Sequence, residues 1–259
     1  MKKQKTVSIK AKLLGVIIPV VIAIVVVLVV AAYQISAGTI KKYSQNLLQS
    51  SVENQASQIE AWLNENLASF QMAKTIIEDL KPSDEELKTI LDGYYGYNSN
   101  YPEGLYVADS TGQLITASES TKKESDVTNS TWYKEGLTRV NMAVGSAYQN
   151  ADGVNVISAS GILNDGSDKV RVISADMTLD RIAIIVNSFI EMNDAEAFLV
   201  DKTSGVILAN RDSSLISQTL GAEGQSHFYQ LTAEKAAEKD YNFATLDGNM
   251  TVFQIGRAH

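Results

Sequence analysis

The sequence contains no cysteine, and this absence excludes disulfide bonds, thiolate catalysis and cysteine-based zinc sites. It has only two histidines, His227 and His259, and neither belongs to a cluster with metal-ligand spacing. No glycine-rich phosphate loop, HExxH motif or GxSxG motif is found. We therefore expect no enzymatic activity, no cofactor and no metal site.

Basic residues are also scarce relative to acidic ones. The chain has 22 Lys and Arg against 30 Asp and Glu, which gives a formal net charge of −8 at pH 7. Binding to nucleic acid requires a basic face that neutralises phosphates, so we expect no nucleic-acid partner. The length of 259 residues allows one large or two small domains.

Near the N-terminus lies a long apolar run. Residues 13–32 carry no charge and are rich in Val, Ile and Leu. As a helix they would span roughly 30 Å, the thickness of the hydrocarbon core of a bilayer. Residues 1–12 contain five lysines and no acidic residue. The positive-inside rule therefore predicts a cytoplasmic tail (1–12), a transmembrane helix (13–33) in the cell membrane, and an extracytoplasmic chain from about residue 34. A cleaved signal peptide is the alternative, although its apolar region is usually shorter, about 7–15 residues.

A second helix signal follows the apolar run. From Ile40 to Leu80, apolar residues recur mostly at steps of three and four, and the opposite face carries Gln, Ser, Asn, Glu and Lys. This spacing predicts one long amphipathic helix, continuous with the membrane span or just after it. Its apolar face would pack on its own domain or, near the membrane, also against a second copy of the chain in a homodimer.

The long helix is predicted to end before Pro82, because proline disfavours helical geometry in the residue that precedes it. Ser83 and Glu86 then have the spacing of a capping box that opens a short helix. In this helix Leu87, Ile90 and Leu91 would face inward, and Gly93 would end it. We assign residues 34–92 to the long helix and this short helix.

An internal repeat organises the rest of the chain. The order strand, Asp, turn, Gly, strand occurs at residues 105–117 and again at residues 197–210, which favours two similar modules over one sheet. Between them, residues 153–162 and 169–176 have the composition of strands and are joined at the hairpin signal Asn164-Asp-Gly166.

The predicted fold class is α+β, with antiparallel sheets and flanking helices in two tandem modules. We place the first module at residues 93–178 and a linking helix, capped by Thr178 or Asp176, at residues 179–192. The second module, which we expect to be incomplete, occupies residues 193–254, where a last strand pair turns at Asp247-Gly248.

The stretch from Asp126 to Asp176 has the ingredients of a small-molecule pocket. It contains Trp132 and Tyr133, then Tyr148, and it ends with Asp176 at the close of an apolar strand. Aromatic faces exclude water, and a fixed carboxylate selects a cation or a hydrogen-bond donor. The alternative is that these aromatic residues belong to the core and that Asp176 caps a helix.

The order of these features resembles the extracytoplasmic double Cache (dCache) sensor domain, which has PAS-like modules, of bacterial methyl-accepting chemotaxis receptors. The resemblance covers nearly all of residues 1–254 and includes the segments Leu-Tyr106-Val-Ala-Asp109 and Ala-Asp176-Met-Thr-Leu-Asp180. It implies that the membrane-distal module (93–178) binds a small ligand and that the membrane-proximal module (193–254) relays the signal. It further implies a homodimer through the long helix. It also implies that a cytoplasmic adaptor and a kinase bind the C-terminal half of the receptor.

That C-terminal half would contain another membrane span, a linker and a signalling domain. We therefore expect the chain to be an N-terminal fragment, and we expect residues 255–259 to be an artefactual tail or else an ordinary strand end. A sensor histidine kinase or a diguanylate cyclase with the same input domain is the alternative receptor class. A binding module of the cell exterior without a signalling role is a further alternative.

The resemblance also implies roles for individual residues. In the amino-acid-binding branch of the family, an Arg, a Trp and a Tyr hold a carboxylate, while a later Tyr and an Asp hold an ammonium group. This chain matches at Trp132, Tyr133, Tyr148 and Asp176, but Ser130 stands at the Arg position. Ser125 stands where the family has a further Tyr; Asp126 and Tyr106 complete our set of candidate ligand-binding residues.

The serine at the arginine position changes the expected ligand. Without a guanidinium group there is no bidentate clamp for a carboxylate. We therefore expect an amine, an N–H-bearing heterocycle such as a pyrimidine or purine, or a modified amino acid. A nearby lysine, Lys122, Lys123 or Lys134, is able to replace the Arg, and an ordinary amino acid then remains a candidate.

Overall fold

The computed structural model describes residues 9–188, 195–202, 204–236, 243–246 and 248–253. Parts of four sequence assignments lie outside the described residues: residues 1–8 of the basic tail, residues 189–192 of the linking helix, residues 193–194, 203, 237–242, 247 and 254 of the second module, and the tail at 255–259. The chain divides into two units, Met1–Ser50 and Ser51–His259, which are described one after the other.

The first unit is helical. Helix α1 extends from Ile9 to Leu80 without a break, and Pro19 lies inside it. This confirms that the long helix and the apolar run form one element. Residues 13–32 expose their side chains along the whole run. Among the described residues, α1 is the one helix long and apolar enough to cross a membrane.

In the second unit, the last thirty residues of α1 pack on the domain. Its inward face buries Ile59, Phe70, Ala73 and Ile77, which follow the spacing of one helical face. Helix α1 ends at Leu80, before Pro82 as predicted. The next residue, Lys81, has a φ of +47°, a left-handed conformation that lies outside the helix.

Helix α2 (Asp84–Asp92) forms as the sequence predicts. The Ser83 hydroxyl accepts a hydrogen bond from the Glu86 backbone N–H, the Glu86 carboxylate accepts one from the Ser83 backbone N–H, and the cap at the other end is Gly93. The capping box satisfies two backbone donors at the start of the helix. Leu87 and Leu91 are fully buried against the same core as α1.

The core sheet of the first module has five antiparallel strands in the order β2-β1-β5-β4-β3. The strands are β1 (Leu105–Asp109), β2 (Leu114–Ile115), β3 (Ala143–Gln149), β4 (Asn155–Leu163) and β5 (Arg171–Thr178). The predicted pairing of β4 with β5 is confirmed, and Gly166 in their connection has a φ of +85°. Strand β2 is shorter than predicted, and β3 was not predicted.

Successive residues of a strand point to opposite faces, so the sheet has two different surfaces. One face carries apolar residues such as Val107, Ile173 and Met177 and packs in the same core as α1 and α2. The other face carries Tyr106, and helix α3 (Thr131–Gly136) covers part of it. Gly136 permits this close approach, because a Cβ atom there would lie 2.3 Å from Val172 Cγ1.

The connection between the modules corrects one prediction. Helix α4 spans Asp180–Asn187, and its N-cap is Leu179, which makes no side-chain capping bond. Neither Thr178 nor Asp176 caps it, because β5 continues to Thr178 and the Asp176 side chain bonds elsewhere. Gln55 of α1 donates to the backbone carbonyl of Val186 near the end of α4, at 3.1 Å.

The second module contains two small antiparallel pairs in its described part. They are β6 (Leu199–Val200) with β7 (Ile207–Ala209), and β8 (Phe243–Leu246) with β9 (Asn249–Val252). Helix α5 (His227–Ala236) lies between them in the sequence. The predicted turn glycines Gly205 and Gly248 have φ values of +72° and +79°, a conformation that glycine adopts readily. The α+β fold class is confirmed.

Candidate functional site

The face of the first sheet that lies opposite α1 brings a row of polar side chains together. Ser158 of β4 is paired directly with Asp176 of β5, so both point to the same side. Tyr106 of β1 and Tyr148 of β3 extend the row across four adjacent strands. Tyr106 lies 70 positions and Ser158 lies 18 positions before Asp176 in the sequence, and the sheet brings them together.

The Asp176 carboxylate is the centre of this row. Its Oδ1 accepts hydrogen bonds from the hydroxyls of Tyr106 at 2.5 Å, Ser158 at 2.5 Å and Tyr148 at 3.1 Å. Its Oδ2 accepts one from Lys122 Nζ at 2.6 Å. Asp176 is buried, and a buried carboxylate needs such partners because it has lost its hydration. We call Asp176, Tyr106, Tyr148, Ser158 and Lys122 the Asp176 cluster.

Both tyrosine hydroxyls of the cluster remain protonated. Burial raises the pKa of Tyr106 well above its ordinary value, and the charge of Asp176 raises it further. Burial and the same charge also raise the pKa of Tyr148. A protonated hydroxyl donates to a carboxylate, so the two tyrosines hold Asp176 in place as hydrogen-bond donors.

Lys122 comes from the segment between β2 and helix α3. Its ammonium group also lies 4.2 Å from the centroid of the Tyr106 ring, a distance at which a cation is attracted to an aromatic face. Its side chain is only 5% exposed. The sequence suggested Lys122 as a substitute for the missing Arg on a ligand carboxylate. The structure instead places its ammonium on Asp176.

Trp132 and Tyr133 lie in helix α3 beside the cluster. The Trp132 ring is fully buried and makes edge-to-face contacts with Tyr106 at 4.9 Å and Tyr133 at 5.7 Å between ring centroids. Its indole N–H lies 3.5 Å from Glu124 Oε2. The Tyr133 hydroxyl is buried and has no hydrogen-bond partner within the described part of the chain. These rings form an apolar wall next to Asp176.

The other two candidate residues are not brought to the cluster. Asp126 is exposed, and its carboxylate accepts hydrogen bonds from the Asn129 side-chain amide at 2.7 Å and from the Asn129 backbone N–H at 3.3 Å. The second bond caps the 3-10 turn Val127–Asn129. The Ser130 hydroxyl donates to the Val127 carbonyl at 2.6 Å. Both side chains therefore serve local backbone structure, as short polar side chains often do. Sequence reasoning also missed Ser158, which has no motif of its own and is identified only by its register with Asp176.

No group of three or more metal-ligating side chains with a geometry suited to an ion occurs in the residues that the structure describes. The chemistry that the Asp176 cluster offers is that of a buried carboxylate next to aromatic faces. Such a site attracts a cation or an N–H donor.

A second buried carboxylate, Asp109, lies at the end of β1 and has a structural role. It accepts hydrogen bonds from Lys169 Nζ at 2.5 Å, from the Thr111 hydroxyl at 2.5 Å and from the Gln113 backbone N–H at 3.1 Å. Burial opposes ionisation, but these bonds outweigh it and lower the pKa of Asp109 from 3.8 to about 2. The carboxylate thus holds the turn between β1 and β2.

This pKa predicts how stability depends on pH. Because the folded pKa is below the unfolded one, the ionised Asp109 stabilises the fold above pH 4, and the effect is lost as the pH falls through 2. We expect Asp109→Asn to lower the free energy of unfolding by about 2 kcal/mol at pH 7 and by about half as much at pH 3. Chemical denaturation at the two pH values measures both differences.

The matched control is Asp152→Asn, which removes an exposed carboxylate and should change the free energy of unfolding little. A deficit of Asp109→Asn that is equal at both pH values would contradict the predicted titration.

Comparison with known proteins identifies a matching family and solved structures with a similar fold. A family model described as "Cache domain" (dCache_1) matches residues 32–254. The ligand-binding domain of the Pseudomonas fluorescens chemoreceptor CtaA, solved with L-isoleucine, superposes with a TM-score of 0.63 at 20% identity, over 82% of this chain and 85% of that one. No curated protein sequence matches the chain significantly.

Two further chemoreceptor ligand-binding domains have the same fold. That of Pseudomonas aeruginosa PctC, in complex with GABA, gives a TM-score of 0.58 at 23% identity and covers 69% of this chain and 81% of that one. That of Campylobacter jejuni Tlp3, in complex with 4-methylisoleucine, gives 0.60 at 19% identity and covers 81% and 84%.

Proposed function

This chain belongs to the Cache domain family, and from this we propose that it is the extracytoplasmic sensing part of a transmembrane chemoreceptor. In this proposal, a small molecule binds in the first module and changes the signal that α1 passes to the membrane. The observation that carries the proposal is the buried Asp176 carboxylate, which four side chains hold beside an aromatic wall.

The ligand class follows from this carboxylate. The structural relatives bind compounds with an amine, such as L-isoleucine and GABA, and Asp176 is suited to an ammonium group or an N–H donor. A hydrogen bond to a charged group contributes about 1.5–3 kcal/mol. Because Ser130 has no positive charge, we propose an amine, an N–H-bearing heterocycle or a modified amino acid rather than a ligand that depends on a carboxylate clamp.

In this proposal, the segments take their roles in the order in which they occur in the chain. Residues 93–178 bind the ligand, helix α4 links the two modules, and residues 193–254 relay the signal. The contact between Gln55 and the carbonyl of Val186 supports this scheme, because it joins the end of α4 to α1. A ligand that prefers one of two arrangements of the first module would bias α1 by its difference in affinity, and α1 would pair with its copy in a homodimer.

A thermal-shift screen tests the proposal. The full chain in detergent micelles is heated with amines, pyrimidines, purines, amino acids and short carboxylates. At a hundred times its Kd, a ligand stabilises the folded state by about 2.7 kcal/mol, a shift of a few degrees. We expect an N–H-bearing compound to give this shift in the wild type and to lose it in Asp176→Asn.

The matched control is Asp126→Asn, which also removes one carboxylate from the first module but at an exposed capping position. The shift should persist in this variant. A ligand whose shift is the same in wild type and Asp176→Asn would contradict a site at the Asp176 cluster.

A further inference from the structure

We propose that Lys122 is a built-in competitor for the ligand: its ammonium occupies the place on Asp176 that the ammonium or N–H group of a ligand takes on binding. This inference rests on the proposed function and adds a residue that sets the affinity of the site. It follows from the geometry of the Asp176 cluster, from charge balance and from the position of Lys122 in the chain.

The geometry leaves one place for an incoming donor. Oδ1 of Asp176 already accepts three hydroxyl hydrogen bonds, whereas Oδ2 accepts only the bond from Lys122 among the described residues. Lys122 also occupies a face of the Tyr106 ring, because its Nζ lies 4.2 Å from the ring centroid. A ligand cation would use the same oxygen and the same ring, so it must take the position of the Lys122 ammonium.

Charge balance favours replacement of the Lys122 ammonium by that of the ligand over binding of the ligand to the intact pair. Asp176 and Lys122 form a buried pair with side-chain exposures of 7% and 5%. If a second ammonium joined the intact pair, one positive charge would be buried without a partner, which is costly. If the ligand ammonium instead replaces that of Lys122, Asp176 keeps one cationic partner and Lys122 recovers its hydration in water.

The position of Lys122 allows this exchange. Residues 121–124 form neither helix nor strand, and the flanking Thr121 and Lys123 are exposed. The backbone N–H of Lys122 is held by the Ser120 hydroxyl oxygen at 3.2 Å. The backbone can therefore stay in place while the flexible four-carbon stem of the lysine rotates its charged end into water.

A tethered competitor raises the apparent Kd of the ligand, because the ligand binds only during the fraction of time for which the competitor has left the site. If Lys122 occupies Asp176 for about nine-tenths of the time, the apparent Kd of an amine is about tenfold higher than that of the vacated site. Removal of the lysine side chain should therefore strengthen the binding of simple amines.

Chemical rescue with n-butylammonium tests the inference. Lys122→Ala removes the ammonium and the three side-chain carbons beyond Cβ, and n-butylammonium restores an untethered ammonium on a chain that is one carbon longer. In full-length protein, we expect n-butylammonium to raise the melting temperature of Lys122→Ala with an apparent Kd at least about tenfold below that for wild type. The double variant Lys122→Ala with Asp176→Asn should show no such rise. Because n-butylammonium has no carboxylate, its binding reports only on the ammonium site at Asp176.

Two controls make the test specific. Lys123→Ala removes the same charge from the exposed neighbouring position and should behave like the wild type. The neutral n-butanol should not raise the melting temperature of Lys122→Ala. If Lys122→Ala does not fold, Lys122→Gln keeps a neutral donor near Asp176 and should also bind n-butylammonium more tightly than the wild type does.

The outcomes separate this inference from the proposed function. If a ligand from the screen depends on Asp176 but neither it nor n-butylammonium binds the Lys122 variants more tightly, the competitor inference is overturned and the proposed function stands. If Lys122→Ala binds n-butylammonium through Asp176 while no screened ligand depends on Asp176, the inference stands and the proposed ligand class is wrong. If neither ligand nor amine depends on Asp176, both fail.

Discussion

Asp176→Ala is expected to lower the free energy of unfolding by about 3–5 kcal/mol, because it leaves the hydroxyl donors of Tyr106, Tyr148 and Ser158 without their acceptor. It also breaks the ion pair with Lys122, whose ammonium then turns into water. Lys122→Met is expected to be costly on its own, because it leaves the buried Asp176 carboxylate without its cation. In the Asp176→Ala background the same substitution breaks no ion pair, so the two substitutions are expected to be strongly non-additive.

Chemical denaturation of the four proteins of this double-mutant cycle measures the coupling. The fluorescence of Trp62 and Trp132 follows the unfolding, since both tryptophans lie in the second unit. The control pair is Asp152→Ala with Lys123→Met, two exposed positions at which we expect little loss and no coupling. Additive losses at Asp176 and Lys122 would show that the two charges do not form the buried pair described above.

Trp132→Ala is expected to have the second large effect, a loss of about 3–5 kcal/mol, as is typical when a fully buried large aromatic residue is truncated. The Trp132 ring is completely buried and contacts the rings of Tyr106 and Tyr133. Its removal leaves a cavity between α3 and the sheet. Trp132→Phe, which keeps a ring at this position, should cost less than half as much.

Trp62→Ala is the matched control, because Trp62 is half-buried on α1 and its indole N–H has no hydrogen-bond partner within the described residues. We expect it to cost clearly less than Trp132→Ala when the melting temperature and the free energy of unfolding are measured. If the two truncations had equal effects, the tight packing of α3 on the sheet would be contradicted.

The elements that the sequence predicts well are those with local signals. Helix α1 has an unbroken apolar periodicity, and α2 has its capping box between Ser83 and Glu86. Both signals lie in the same stretch of sequence as the helix that they predict, so they do not depend on tertiary contacts. The pairing of β4 with β5 was predicted for the same reason, because the turn signal at Asn164-Asp-Gly166 joins the two strands directly.

Strand β3 was missed because its signal is not local. Its residues Ala143–Gln149 include Gly145 and Ser146, and six of the seven are only half-buried. The strand forms because β4 offers it a partner, and its register with β4 shifts between Val144 and Ala147. No periodic apolar pattern marks a strand of this kind in a sequence.

The composition of the Asp176 cluster was predictable only in part. Tyr106, Tyr148 and Asp176 were among the candidates, and the sheet brings them together. The position of Lys122 was not predictable, because it depends on a contact between residues 54 positions apart in sequence. Asp126 was assigned to the pocket from its place in the sequence, whereas a local hydrogen bond to Asn129 takes its carboxylate.

Single-tryptophan fluorescence shows whether a ligand binds beside Trp132 at Asp176. The chain has two tryptophans, so Trp62→Phe leaves Trp132 as the only tryptophan of the full-length protein in detergent micelles. With excitation selective for tryptophan, we expect the ligand found by the thermal-shift screen to change Trp132 emission saturably, at the same apparent Kd, and we expect Asp176→Asn to abolish the change. If Trp132 emission stayed constant at saturating ligand, while Trp62 emission changed in Trp132→Phe, the ligand would bind elsewhere and a site at the Asp176 cluster would be excluded.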